Sequence, residues 1–283
     1  MKRKITQKQL IDFKQHLVNE EKSAATIEKY VRDVQTFIAW LKGEAGVDKA
    51  AVITYKQYLT EHYQTASVNS ILSALNSFFI FNAWFELRIK TIKMQRQIFS
   101  SKDRELSRAE YERLLKAAES RPNKRLYYIL QTICATGIRV SELRFITIEA
   151  VKRTYAEVCC KGKNRHVLLP GDLCKLLKDY AEEKKISSGS IFVTGSGRPL
   201  DRSNVWADMK KLCETANVAR SKVFPHNLRH LFARTYYALQ KDIVRLADIL
   251  GHSSVNTTRI YTMESGEIHR KQIQRLGLVH MRI

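Results

Sequence analysis

Pro225 is followed by His226 and, three residues later, Arg229, a spacing that puts an imidazole and a guanidinium on one face of a helix. Proline suits the first position of that helix, where its missing N–H costs nothing, so both side chains can act on one ligand. Alone, H-x-x-R is more often a surface pair. A second group is Leu250-Gly251-His252, in which glycine stands where a left-handed helix cap is wanted and throws His252 into the following tight turn. Tyr261 lies nine residues further on, one of twelve tyrosines. A third group, Lys161-Gly162-Lys163-Asn164-Arg165, reads as the basic tip of a hairpin between β-type runs at 156–160 and 166–169. Guanidiniums, ammoniums and imidazoles together stabilise an anion and move protons.

The charge of the chain says what that anion is. Lys and Arg number 49 against 28 Asp and Glu, a net +21 over 283 residues, and the partner this implies is a polyanion. Through Arg104 there are 17 basic and 10 acidic residues, net +7; the remainder has 32 and 18, net +14. Two basic parts rather than one basic tail suggest two surfaces that close on one duplex, although solvated charged faces alone would also produce the excess. No apolar run of about 20 residues occurs and the first ten residues lack a signal-peptide core, so the expected location is the cytoplasm, with no membrane partner. Five cysteines, an odd count with no C-x-x-C, predict neither disulfides nor a metal site.

The elements that must position these residues can be read from periodicity. Ile27, Tyr30, Val31, Val34, Phe37, Ile38 and Leu41 recur at helical steps, as do Val68, Ile71, Leu72, Leu75, Phe78 and Phe79. Residues 1–87 are therefore expected to form a helical domain. Residues 88–105 lose that periodicity and carry Arg88, Lys90, Lys93 and Arg96, a basic linker. A second domain, 106–283, starts at a capping box formed by Ser107 and Glu110. Helices are predicted over 124–136, stopping at Gly137, and over 141–145, 172–184, 203–216, 225–239, 242–250 and 254–261. The tail, 266–283, is weakly amphipathic and is predicted to form a helix that docks on its own domain or on a neighbouring subunit.

Four segments in one order carry a resemblance. ATGIRVSEL (135–143), CKGKNRHVLLP (160–170), HNLRHLFA (226–233) and LGHSSVNTTRIYT (250–262) resemble the tyrosine recombinases, chiefly their Xer-like and integrase branches. SAATIEKYVRDVQTFIAWL resembles that family's N-terminal core-binding domain, so the resemblance spans nearly the whole chain. It implies a mainly α fold with a small β-sheet, built as a helical, SAM-like core-binding domain plus a DNA breaking-rejoining catalytic domain, closed as a C-shaped clamp on double-stranded DNA. Residue by residue, it implies an active site of Arg139, Lys161, His226, Arg229 and His252 around the nucleophile Tyr261, with Glu142 in support. It implies site-specific recombination through a 3′-phosphotyrosine and a Holliday junction, by a homotetramer or a tetramer with a related recombinase, on two DNA sites with inverted repeats. No cofactor is expected.

The residue types suit that chemistry. Two guanidiniums match a phosphate's oxygens with fork geometry, which fits Arg139 and Arg229. Tyrosine titrates near 10, so a phenolate at pH 7 costs roughly 4 kcal/mol and needs a base or nearby cations. His226 is the candidate base, His252 a donor to a phosphoryl oxygen and Lys161 the acid for the departing 5′ oxygen. Other readings stand beside these. Arg139 could satisfy the carbonyls of the preceding helix, Glu142 could be an ordinary acid at a helix start, and a shift of register would exchange Lys161 with Lys163 or Arg165. His166 and His230 are expected to be structural or DNA-contacting. Candidate DNA contacts are Arg88, Lys90, Lys93, Arg96, Lys163 and Arg165. The competing functions are a type IB topoisomerase-like relaxing enzyme and a non-catalytic DNA-binding regulator.

Overall fold

The chain divides into two units, Met1–Arg96 and Gln97–Ile283, in a computed structural model that describes residues 2–41, 46–93, 104–160, 163–261, 274–276 and 278. Lys161, Arg96, the side chain of Lys163 and nearly all of the tail expected to be helical lie outside the described residues. Among the described residues no helix is long and apolar enough to cross a membrane.

In the first unit, polar caps fix where helices begin. Thr6 and Gln9 close a capping box at α1, Gln7–Asn19; Ser23 caps α2, Ala24–Trp40; Asp48 caps α3, Lys49–His62. The fourth helix, α4, spans Thr65–Phe81. The apolar stripes meet in a core of Phe13, Val34, Phe37, Leu72, Phe78 and Phe79, all fully buried. Phe13 and Phe78 pack edge to face, with ring centres 5.2 Å apart and planes at 86°.

The first residues of the expected linker are bound to this unit. Asn76 donates to the Ile89 carbonyl at 2.8 Å and accepts from its N–H at 2.9 Å; Asn69 clamps Ile92 in the same way at 2.9 and 2.8 Å. Each side-chain amide thus replaces the peptide partner that an extended strip without a neighbouring strand lacks. Lys56 also donates to the Lys90 carbonyl at 2.8 Å. Leu87 and Ile89 point inward while Arg88, Lys90 and Lys93 are exposed. A basic composition without helical periodicity reads as a linker, but residues 88–93 are docked.

The second unit is built around α6, Arg125–Thr136, whose Leu126, Ile129, Leu130 and Ile133 are buried. Before it, α5 spans Arg108–Glu119 behind the Ser107/Glu110 capping box. A 3₁₀ segment, Val140–Phe145, and α7, Ile148–Arg153, lead to the small sheet. Its strands β1, Tyr155–Cys160, and β2, Lys163–Leu168, pair antiparallel with Val158 opposite Arg165. The ladder continues to Cys160 opposite Lys163, so the hairpin tip is shorter than the sequence suggests and Arg165 belongs to a strand. There follow α8, Gly171–Glu183; α9, Arg202–Lys210; α10, Pro225–Gln240; α11, Ile243–Leu250; and α12, Val255–Thr258, with a last 3₁₀ turn at Arg259–Tyr261. The helix predicted over 203–216 ends at Lys210. Beyond it, tight turns such as Leu212 N–H to Met209 O, 3.0 Å, still bury Leu212, Cys213 and Ala216.

Where α6, α10 and α11 converge, Gly137 ends α6 in the left-handed region at φ 64°. A β-carbon there would lie 2.5 Å from Phe232 and 2.9 Å from Leu250. Gly137→Ala therefore combines backbone strain with overpacking and is expected to destabilise the second unit by about 2–4 kcal/mol. Urea unfolding followed by far-UV circular dichroism measures this, and a loss under about 1 kcal/mol would show that the neighbours yield freely.

Candidate active site

Two helix ends and a buried cation define the centre of the second unit. Arg229, the fifth residue of α10, is 1% exposed. It donates to the Gly137 carbonyl at the end of α6, to the Leu250 carbonyl at the end of α11 at 2.8 Å, and to His252 Nε2 at 3.0 Å. The carbonyl ends of helices carry partial negative charge, so the guanidinium sits where two helix dipoles favour a cation. Burial, with the Arg139 charge, lowers its pKa to about 10, against a pull in the other direction from Tyr261. It remains protonated at neutral pH.

That bond fixes the state of His252. Arginine can only donate, so Nε2 is the acceptor and the ring proton is on Nδ1, which donates to Thr258 Oγ1 at 2.8 Å. Burial, then the charges of Arg229, Arg139 and Arg165, push the imidazole down to about 4, and it is neutral at pH 7. Gly251, at φ 63°, makes the sharp turn after α11 that puts His252 there.

Arg139 follows the Gly137 cap and is 38% exposed at its side chain, the more open of the two arginines. It is held by Glu142, 1% exposed, whose Oε1 accepts from Arg139 Nη1 at 2.9 Å and whose Oε2 accepts the Arg139 N–H at 2.9 Å. Arg165 adds a third bond to Oε2, 2.6 Å from Nη2. Burial opposes the Glu142 charge, but the Arg139 N–H and the two guanidiniums outweigh it and hold the carboxyl below the usual range. Glu142 is therefore a full anion between two cations. Arg165, counted from sequence among the DNA contacts, turns inward, with only 14% of its side chain exposed. The strand alternation gives the reason, since Arg165 shares a face with buried Val167.

The tyrosine is covered by rings. Tyr261 is 4% exposed and packs with Ala233, Leu246 and Leu250. His230 stands edge-on to it, with ring centres 4.7 Å apart at 89°, and His252 lies nearly parallel at 6.0 Å. On its other side His230 meets His226, 4.8 Å away. The protein around the otherwise exposed His226 ring, then the Arg229 and Arg139 charges, lower its pKa; burial, then His226, Arg234 and Arg229, lower His230 to about 4. Beside Arg139 and His226 opens a cleft of about 590 Å³, lined also by Ser141, Arg202, Trp206 and Arg229.

Arg139, Glu142, His226, Arg229, His252 and Tyr261, separated by up to 122 positions in the chain (261 − 139), thus share one centre. Sequence reasoning passed over Thr258 and gave His230 no part beside the tyrosine. His230 follows Arg229 directly and lies one helical turn after His226, a signal that was present; Thr258 reaches His252 only through the turn between α11 and α12, which spacing does not specify.

A scaffold of this kind, with two arginines, three histidines and a tyrosine at the convergence of three helices, is that of a DNA breaking-and-rejoining recombinase. The chain belongs to the phage integrase family: the model of that family matches residues 104–267, and that of the phage integrase N-terminal SAM-like domain matches residues 10–85. It is similar to tyrosine recombinase XerA of Thermococcus kodakarensis, 29% identical over 279 residues and 95% of each chain, and to XerC of Roseiflexus castenholzii, 30% identical over 88% of this chain and 87% of that one. Among solved structures, the pre-cleavage complex of XerH with its difH substrate superposes with a TM-score of 0.68 at 20% identity, covering 92% of this chain and 82% of that one. A lambda integrase tetramer bound to a Holliday junction gives 0.69 at 18% identity, covering 90% and 76%. Both likenesses are of fold. The chain is a tyrosine recombinase of the Xer and integrase type.

The histidine pKa values set a pH dependence of stability. Those of His230 and His252, about 4 in the folded chain, lie below the ordinary 6.5, so the unfolded chain takes up protons first as pH falls. Stability from these neutral rings is complete above about 6.5 and is lost progressively down to about 4. The urea midpoint is expected to fall across that window, and less steeply in His230→Phe, which keeps a ring against Tyr261. An unchanged slope in the variant would show that His230 takes no part.

Proposed function

We propose that this protein is a cytoplasmic site-specific recombinase that cuts and rejoins duplex DNA with Tyr261 as nucleophile. The observation that carries the reading is the convergence of Arg139, His226 and Arg229 at the cleft beside α10, with His252 bonded to Arg229 and Tyr261 stacked beside His252.

In the first transesterification the Tyr261 oxygen bonds to the scissile phosphorus, the bond from phosphorus to the 5′ oxygen breaks, and a 3′-phosphotyrosine and a 5′-hydroxyl result. Arg139 and Arg229 neutralise the non-bridging oxygens as charge builds on them. Arg229 enters already oriented by two backbone carbonyls, so little reorganisation is required. His226, neutral at pH 7 because its pKa is lowered, accepts the tyrosine proton, and Lys161 delivers one to the leaving 5′ oxygen. For His252 to donate to a phosphoryl oxygen the proton must be on Nε2. The Thr258 hydroxyl makes this possible, since it accepts from Nδ1–H in the arrangement seen here and can donate to a bare Nδ1 after the shift. The phosphotyrosine conserves the energy of the broken bond, so rejoining to a partner strand needs no separate energy source. Two such exchanges, made by four subunits on two inverted-repeat sites, pass through a Holliday junction. Arg88, Lys90 and Lys93 face outward on the docked strip and supply phosphate contacts, together with Arg96 and Lys163.

Tyr261→Phe is expected to abolish the covalent adduct on a suicide duplex while leaving the mobility-shift affinity within about 3-fold, because phosphate cations dominate binding. A persisting adduct would put the nucleophile elsewhere. Lys161→Ala should slow cleavage by roughly 100-fold or more on ordinary DNA. On DNA with sulfur in place of the scissile 5′ oxygen the defect should shrink to a few-fold, since a thiolate departs unprotonated. Equal defects on both substrates would remove the general-acid role.

A further inference from the structure

We propose that Arg165 is a positioning residue that sets Arg139 and His252 against each other, and that it does not contact DNA. The proposal deepens the recombinase reading and rests on it. Arg165 lies on β2, opposite Val158, on the inward face of the hairpin. Its Nη2 donates to Glu142 Oε2 at 2.6 Å, and its Nη1 to the Ile249 carbonyl in the last turn of α11 at 2.8 Å. Its aliphatic stem lies against Gly251, where a β-carbon would come within 2.3 Å of Arg165 Cδ and 2.8 Å of Nε.

These contacts reach both segments that present phosphate ligands. Through Glu142, which also grips Arg139 by side chain and backbone, Arg165 fixes the 3₁₀ segment after Gly137. Through Ile249 and Gly251 it fixes the end of α11, directly before His252. One planar fork therefore spans a carboxylate and a carbonyl that belong to different elements. Lysine has no such geometry, because its ammonium is a single point of charge. A phosphate ligand would need a free, accessible guanidinium N–H, whereas Nη1 and Nη2 are engaged and Nε, though unpartnered, is buried, on a side chain 14% exposed. Gly251 is consequently constrained twice, by its left-handed φ of 63° and by the arginine lying on it.

The test uses the full-length chain and the duplex that the wild type selects from a random library by covalent capture. Dissociation constants are measured across a salt series, and single-turnover cleavage is measured at saturating protein well below the unfolding temperature. Arg165→Met and Gly251→Ala should each lower the saturated cleavage rate by about 30-fold or more, as expected for misplaced ligands, with affinity within about 3-fold and the slope of log Kd against log salt unchanged. Arg165→Lys should not rescue the rate. Should the methionine variant fail to fold, the lysine variant, which keeps a cation beside Glu142, carries the same comparison. A direct phosphate contact gives the opposite pattern: weaker binding, a salt slope smaller by about 0.9, and normal cleavage at saturation, and this would overturn the proposal. Absence of any adduct from the wild type would instead sink the recombinase reading itself.

Discussion

A buried arginine with no carboxylate partner among the described residues is the constraint around which the second unit is arranged. Removing a guanidinium from water is costly, and Arg229 recovers that cost from the carbonyl ends of α6 and α11 and from the lone pair of His252. For this to work, two helices must end at the same point and a third must begin there. Glycine at 137 and at 251 makes both ends possible, and Pro225 starts the helix that carries the arginine. The charge that would bind a phosphate is thus part of what holds the helices together.

Around this centre the ionic groups form a graded series. Arg229 is enclosed, Arg165 is nearly so, Arg139 is partly open, and His226 lies at the mouth of the cleft. Glu142 balances Arg139 and Arg165 and leaves Arg229 to the helix carbonyls. An anion arriving at the cleft meets Arg139 first and finds Arg229 behind it, both already held by bonds that need not be made again. The histidines are neutral chiefly because burial disfavours a second proton on each imidazole, and the neighbouring cations add their repulsion to it.

Much of this was legible in the sequence where one element decides the outcome. The stripes on α2 and α4, the capping box before α5, the glycine stop of α6 and the proline start of α10 all rest on local rules, and the structure follows them. The reading failed where the partner is distant. Asn69 and Asn76 look like ordinary polar residues of a helix, and only the docked strip shows their use as peptide surrogates. Arg165 ends a basic run that begins with Lys161 and Lys163, and with Val167 and Leu168 both apolar the sequence alone does not say which face of β2 is inward. Thr258 depends on a turn geometry that no spacing encodes. The end of α9 at Lys210 reflects buried side chains satisfied by tight turns, which helical periodicity imitates.

The strip over residues 88–93 is held by its backbone: Asn69 and Asn76 grip the peptide groups of Ile92 and Ile89, while the intervening basic side chains take no part in the holding. Identity at those outward positions is therefore decoupled from the fold. Mutation can exchange Arg88, Lys90 or Lys93 without disturbing the amide clamps beneath them, whereas Arg165, equally basic, is bonded to both the 3₁₀ segment and the last turn of α11. The molecule so separates cations that its packing leaves free to vary from one that is built into that packing.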